Sequence, residues 1–489
     1  MKLDRRHAAQ TLLASAACGL FPAGPPGSLA AHATRQVAEE RMRTQVCVIG
    51  GGSGGTGAAL AAARAGANVV LLERDSCLGG TATNAMVCVW RAVAGSNGIP
   101  RDLFREMRND PLGVADVRYE ATTLGARTVN GQRRSGGSVP FEPRAMDYAT
   151  RALLEATRRC QTLLATTFCG VRMADDRIEA VEAWFAGKRL RIEADVYVDC
   201  TGDGDVCADA GCECRLGEDP RSLYNEPHAP ETARLILNGL TLCYRITDTG
   251  VQQKPYLPKG VEVGKCGLSA CLDRMPNGDR IVNVVPMLPG NALLHCEYSV
   301  LMRKAQHRVL DHMYQLQTLP GDHPMTRRLG KGRGLGTWAI AAIAPRIGVR
   351  ETRRIITDYV LRETDLDAGV ARQGHPDVIA IADHSVDLHA PGVEFRTLEG
   401  PFGIPYRCLL PRGVRNLMIA CRAAGFSHIA AASCRLQRTL ITLGQAAGNA
   451  AALAVQHHLD LRQVDIRQLQ ARLQSQGVEL TAPASTPNV

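Results

Sequence analysis

Uninterrupted apolar runs punctuate this chain at strand length. Gln45–Ile49 and Asn68–Leu72 are of the kind that fill the centre of a parallel sheet. Ala194–Asp199 alternates apolar and polar before a Gly-rich acidic turn, and Asn416–Ala420 reads as a further strand near the C-terminus. Helical signals are rich in alanine. Ala58–Ala63 consists of strong helix formers. Leu440–Val455 is uncharged but broken by Thr442, Gln445 and Asn449, and falls short of the roughly 20 apolar residues a membrane span needs. It is expected to be a buried helix, and no membrane span is expected.

The joint between the first strand and the first helix carries the strongest chemical signal. Gly50-Gly51-Gly52-Ser53-Gly54-Gly55 fits G-x-G-x-x-G. Gly50 permits a tight turn, Gly52 lets a pyrophosphate approach the backbone, and Gly55 allows helix and strand to pack closely. The amides that open the helix favour negative charge. The second strand ends in Glu73, placed to accept hydrogen bonds from an adenosine ribose. Strand, loop, helix, strand and acid in this order predict a dinucleotide-binding βαβ unit. Glu73 argues against the 2′-phosphate of NADP, an argument that the neighbouring Arg74 softens.

The later blocks decide between FAD and NAD. Arg74–Thr83 runs from the second strand through the Gly79-Gly80 turn. Val198–Gly204 contains Thr201-Gly202-Asp203, and the C-terminal helix contains Gly444-Gln445-Ala446-Ala447-Gly448. Together with Asn97–Pro100, Val139–Pro143, Arg346–Thr352 and Ile404–Arg407, these blocks resemble the FAD-dependent oxidoreductases of the fumarate-reductase-like group. The resemblance implies an α/β fold. A discontinuous Rossmann-like FAD-binding domain would be formed by 44–215 and 400–460, with an α+β substrate or cap domain inserted at 216–399 and a C-terminal helix and tail at 461–489. It implies FAD contacts from Gly50, Gly52, Ser53, Gly55, Glu73, Arg74, Gly80, Thr81, Cys169, Gly170, Thr201, Gly202, Asp203, Gly444, Gln445, Ala446 and Ala447. It also implies a reacting group of His428 and Arg435, the arginine orienting an anionic substrate and the histidine handling protons, with Arg350 and Arg407 as secondary candidates. The expected activity is hydride transfer between flavin N5 and a small polar or anionic substrate, with a separate electron donor or acceptor. An electron-transfer subunit without its own substrate, and an NAD-dependent dehydrogenase, remain alternatives.

Composition narrows this little further. At 489 residues with 45% hydrophobic side chains, the chain is globular and long enough for two or three structural units. The net charge of +9 favours anionic ligands, but no basic run interleaved with aromatics marks a nucleic-acid site. Neither the histidines nor Cys207, Cys212 and Cys214 have metal-ligand or iron–sulfur spacing, so no metal is expected. The first 33 residues resemble a twin-arginine (Tat) export signal. Arg5-Arg6 precedes a short apolar stretch, and Ala31-His32-Ala33 offers a small-residue cleavage site. This predicts a periplasmic or secreted protein, and a cytoplasmic one if the signal is not functional. The 17 cysteines form no disulfide ladder and are expected to be sheltered thiols.

Overall fold

The computed structural model describes residues 39–123, 127–129, 132–134, 136–284, 287–324, 335–389 and 395–481. The export signal expected at 1–33 and most of the tail lie outside the described residues.

Strand β1 (Glu39–Ile49) starts exposed and charged and ends fully buried, so its apolar half defines the sheet interior. It feeds helix α1 (Ser53–Arg64) and then β2 (Val69–Leu72), which pairs parallel to it with Val46 opposite Val69. Helix α2 (Pro143–Thr157) starts with proline at its first position, where the missing N–H costs nothing. It leads into β3 (Cys160–Leu163), parallel to β2. The meander β4 (Thr167–Ala174), β5 (Arg177–Phe185) and β6 (Lys188–Asp199) follows, with β6 also running parallel to β1.

The chain then leaves this sheet. Strands β7 (Tyr244–Asp248), β8 (Ala270–Arg274), β9 (Arg280–Val284) and β10 (Trp338–Ile343) form an antiparallel sheet in the order β8-β9-β7-β10. Helix α3 (Tyr298–Thr318) packs on it; its buried His312 bonds the Tyr244 hydroxyl. After α4 (Glu363–Arg372), strands β11 (Val378–Ala382) and β12 (Phe402–Pro405) pair antiparallel, spanning the border expected at 399/400. Strand β13 (Leu417–Ile419) returns to the first sheet beside the C-terminal half of β6, giving the parallel order β3-β2-β1-β6-β13.

Helices α5 (His428–Cys434) and α6 (Gln437–His457) follow, and α7 (Ile466–Ser475) closes the described chain. Helix α6 is buried from Gln437 to Val455. It contains the uncharged stretch Leu440–Val455 expected to be a buried helix, and among the described residues no helix is long and apolar enough to cross a membrane.

Candidate active site

All five parallel strands point their C-terminal ends the same way, and in open α/β sheets the crevice beyond those ends receives ligands. Gly50 sits there with φ +101°, and a Cβ on it would lie 2.3 Å from the Cys200 carbonyl. The loop after β1 therefore has to press against the loop after β6. Gly80 closes from the other side: its Cβ would come within 2.9 Å of Gly52 Cα, and the Gly79 amide donates to the Gly51 carbonyl at 2.8 Å. Ser53 opens α1 without a side-chain cap or an acidic residue in the first turn, so the helix-end amides have no built-in anion. Gly55 packs back onto the Gly50 carbonyl.

Glu73 lies buried at the end of β2, accepting from the Gly51 amide at 2.7 Å and the Asp75 amide at 2.8 Å. Burial pushes its carboxyl up, and these two amides pull it partly back. Arg74 is exposed beside it. Thr81 supports the turn through its carbonyl, which accepts from the Val87 amide. Across the crevice, buried Asp199 takes the Thr201 amide and hydroxyl on one oxygen and the Cys207 amide on the other, which shapes the Thr201–Gly204 turn. Asp203 accepts from the Thr352 hydroxyl at 2.5 Å and from Arg422. Burial raises its carboxyl, but Arg422 and Thr352 outweigh this and hold it below the usual range. Cys169 and Gly170 lie on β4, reached through a loop whose Thr166 amide bonds the Glu73 carbonyl. The Cys169 thiol faces the Thr167 carbonyl, and Gly170 lies beside Asp209.

Gly444, Gln445, Ala446 and Ala447 pack behind the glycine loop, against the first turns of α1. They lie two turns into α6, where a Cβ on Gly444 would fall 1.9 Å from the Gly54 carbonyl. Gln445 accepts from the Ile99 amide and donates to Gln476, and both alanines are fully buried. The block serves helix contact, because small residues let α6 approach the backbone of α1. The start of α6 at Gln437 has neither a side-chain cap nor an acid in its first turn, and Gln437 itself bonds Trp90 and the Val87 carbonyl.

Arg435 ends α5 immediately before that start. It donates to the Asp387 carbonyl at 2.8 Å and reaches the Asp387 carboxylate at 3.5 Å. Arg350 bonds the Gly239 carbonyl and the Thr241 hydroxyl, and makes no ion pair among the described residues. Burial, and then the like charge of Arg435, push the Arg350 guanidinium down to about 10. Burial also lowers Arg435 against the pull of Asp387. His389 contacts Asp387 at 3.0 Å, and burial drops His384 to about 4. Asp387 is held well below the carboxylate range: His389 and Arg435 overcome the effect of burial. Neither His384 nor His389 has metal-ligand spacing, and nothing local in the sequence signals that they and Asp387 meet the two arginines.

His428 and Arg407 lie elsewhere. His428 begins α5, two turns before Arg435, with Nδ1 on Glu351 Oε1 at 2.8 Å and its amide on Asp219. Burial raises Glu351, but His428 and Arg354 prevail and hold it at about 2. Arg407 makes a two-pronged pair with Asp377 and stacks over Tyr359, 5.1 Å from the ring centroid. It is occupied as a structural cation rather than joined to the arginine group.

The segment 346–354 ties these parts together. Arg346 holds Asp75 of the loop after β2, Arg350 enters the cationic group, and Glu351 holds His428. Thr352 and Arg353 hold Asp203 and Asp205, while Arg354 bridges Glu351 and Asp219.

These residues fit FAD. The side-chain-free approach between Gly52 and Gly80, the uncapped N-terminus of α1 and the buried carboxylate of Glu73 suit a pyrophosphate flanked by a ribose. Among the described residues no group of His, Cys, Asp and Glu could hold a metal ion. Similar solved structures include a geranylgeranyl bacteriochlorophyll reductase-like protein from Thermoplasma acidophilum, at 12% identity over 89% of this chain and 83% of that one, TM-score 0.42. A myxobacterial chondrochloren halogenase shares 11% identity over 88% and 79%, TM-score 0.43. The p-nitrophenol 4-monooxygenase of Pseudomonas putida shares 12% over 90% and 82%, TM-score 0.39. No curated protein matches the chain. The FAD dependent oxidoreductase family model matches residues 45–473, nearly the whole described chain, and the protein belongs to that family of FAD enzymes.

Proposed function

We propose that this FAD-dependent oxidoreductase acts on a small anionic substrate held by Arg350 and Arg435. The observation that carries the reading is the buried arginine pair: Arg435 bonds Asp387 while Arg350 makes no ion pair among the described residues, so a further anion is favoured beside them. The resemblance to fumarate-reductase-like enzymes supports the same role for Arg435. Bound FAD supplies two-electron chemistry, taking or giving a hydride at N5. Arg435 and Arg350 orient the anion, Asp387 fixes Arg435, and His389 on Asp387 can hold a proton. A separate electron donor or acceptor completes the cycle. The Tat-like leader supports operation in the periplasm after export with the cofactor already bound.

The test is titration of the flavin-loaded protein with small carboxylates under anaerobic conditions, followed by the flavin spectrum. A saturable perturbation or bleaching by a carboxylate, absent in Arg435→Ala, is expected. If the compound that reduces the flavin is uncharged and reduces Arg435→Ala equally fast, the clamp is wrong.

A further inference from the structure

The antiparallel sheet has two unlike faces. Tyr244 bonds His312 of α3 and stands opposite Val282, so α3 covers the Tyr244 and Val282 side. Strand alternation puts Asn283 on the other side, and Cys271 with it, because the two are register partners across β9 and β8. Asp273, two residues along β8, shows where that side points. Both of its oxygens take Arg91, which follows the Trp90 whose indole bonds Gln437 at the start of α6. The Cys271 thiol lies within electrostatic reach of Arg91 and of Arg350. A hydrogen-bonded path leads to the same place. Arg350 donates to the Thr241 hydroxyl, which donates to the Val284 carbonyl, one residue from Asn283. This face of the sheet is a wall of the arginine group.

Asn283 leaves that wall incomplete. Its Oδ1 is shut off from solvent and has no hydrogen-bond partner among the described residues. A buried acceptor in this state is costly until a donor reaches it. A cationic donor is disfavoured, because Arg91, Arg350 and Arg435 would repel an ammonium group. A neutral hydroxyl meets no such penalty. The charges also limit the rest of the ligand. Asp273 cancels Arg91, and burial pushes His384 and His389 towards the neutral form. Arg350 and Arg435 against Asp387 then leave one positive charge in excess, which suits a single carboxylate.

Resting on the anion reading above, we propose that the substrate is a small hydroxycarboxylate, with Arg350 and Arg435 on the carboxylate and Asn283 Oδ1 accepting from the hydroxyl. Asn283 selects among anions that the arginines alone would hold alike. An analogue without the hydroxyl leaves the buried oxygen unpaired and is rejected for that reason.

The experiment is calorimetric titration of the flavin-loaded full chain with glycolate, lactate and 3-hydroxybutyrate. Each is measured beside its match without the hydroxyl: acetate, propionate and butyrate. At least one hydroxy acid is expected to bind about tenfold or more tighter than its match. Asn283→Leu, similar in shape but without the amide, should bring that hydroxy acid down to within roughly threefold of its match. Flavin content should be retained and the melting temperature of the ligand-free protein equal or higher, since the unpaired oxygen is gone. Asn283→Ala should collapse the ratio in the same way if leucine disturbs the fold. Arg435→Ala should weaken both members of the pair and keep their ratio, which separates the clamp from the selector. Equal affinity within all three pairs, the result expected if water fills the place, overturns the inference and leaves the anion reading standing. So does a ratio that survives both Asn283 variants. If none of the six carboxylates binds at millimolar concentration, the anion reading falls and takes this inference with it.

Discussion

At the scale of single residues, burial decides what each charged group can do. Arg435 and Arg350 sit out of water, and Arg350 makes no ion pair among the described residues, which is the basis for proposing that they hold an anion. Glu351 sits equally deep, but His428 and Arg354 on either side keep it ionised. The two cases predict different losses. Arg435→Ala should keep flavin and lose roughly a hundredfold in turnover, measured as the rate of flavin reduction by a carboxylate that reduces the unaltered enzyme, since misplacing a reacting group costs about that much. Glu351→Gln should instead lose stability, about 3 kcal/mol by denaturant unfolding at neutral pH, because it breaks a buried ion network on one side. Its pH dependence follows from the same pairing. The Glu351 pKa in the folded protein, about 2, lies below its ordinary 4.5, so the stability it contributes is present above pH 4.5 and is lost as pH falls towards 2. The wild type should weaken across that interval, and Glu351→Gln should show a flatter acid limb. Equal acid limbs would remove Glu351 from the account.

At the scale of elements, glycine sets how closely α1 and α6 cross. A Cβ on Gly444 would meet the Gly54 carbonyl at 1.9 Å, and one on Gly448 the Ala58 carbonyl at 2.2 Å. Because α1 carries the phosphate loop at its start, any separation of the helices is transmitted to the cofactor end. Gly448→Ala should cost about 1–3 kcal/mol by overpacking and reduce the flavin retained through gel filtration. Gly400→Ala, where an added Cβ meets nothing within 4 Å and φ is not positive, should leave both unchanged. The same crossing shows what a motif reveals and what it hides. The strand–loop–helix–strand order was legible because the spacing of Gly50, Gly52 and Gly55 between an apolar strand and an alanine-rich helix is itself the signal, even though Gly50 and Gly54 also answer distant contacts with Cys200 and Ala420. Gly444–Gly448 is equally regular, but its demand comes from a helix almost 400 residues earlier in the chain, and a block matched to cofactor-binding relatives cannot separate contact with flavin from contact with a helix. His384, Asp387 and His389 were illegible for a related reason: they acquire meaning only when the segment carrying them folds against Arg350 and Arg435.

At the scale of the whole molecule, the crevice is assembled from loops after β1, β2, β6 and β13, and the 346–354 segment locks several of them together. Such a site exists only once the chain has folded, and no disulfide fixes it: the 16 cysteines of the described residues are all free. Ten are buried, and burial raises Cys47, Cys200, Cys408 and Cys434 well above the usual thiol range, which keeps them protonated and unreactive. A protein built this way would meet an oxidising compartment badly as an extended chain and safely as a folded, flavin-loaded one. That is the physical case for a twin-arginine route, which carries folded cargo. The proposal predicts that replacing Arg5 and Arg6 by lysine leaves the protein in the cytoplasm, full length and yellow, while the unaltered chain is recovered from the periplasm with its N-terminus trimmed after Ala33. N-terminal sequencing and the flavin spectrum of the two fractions read both points. Periplasmic recovery of the double-lysine variant in equal amount would leave Arg5 and Arg6 without the role proposed for them, and recovery of the unaltered chain only from the cytoplasm would place the enzyme's chemistry there.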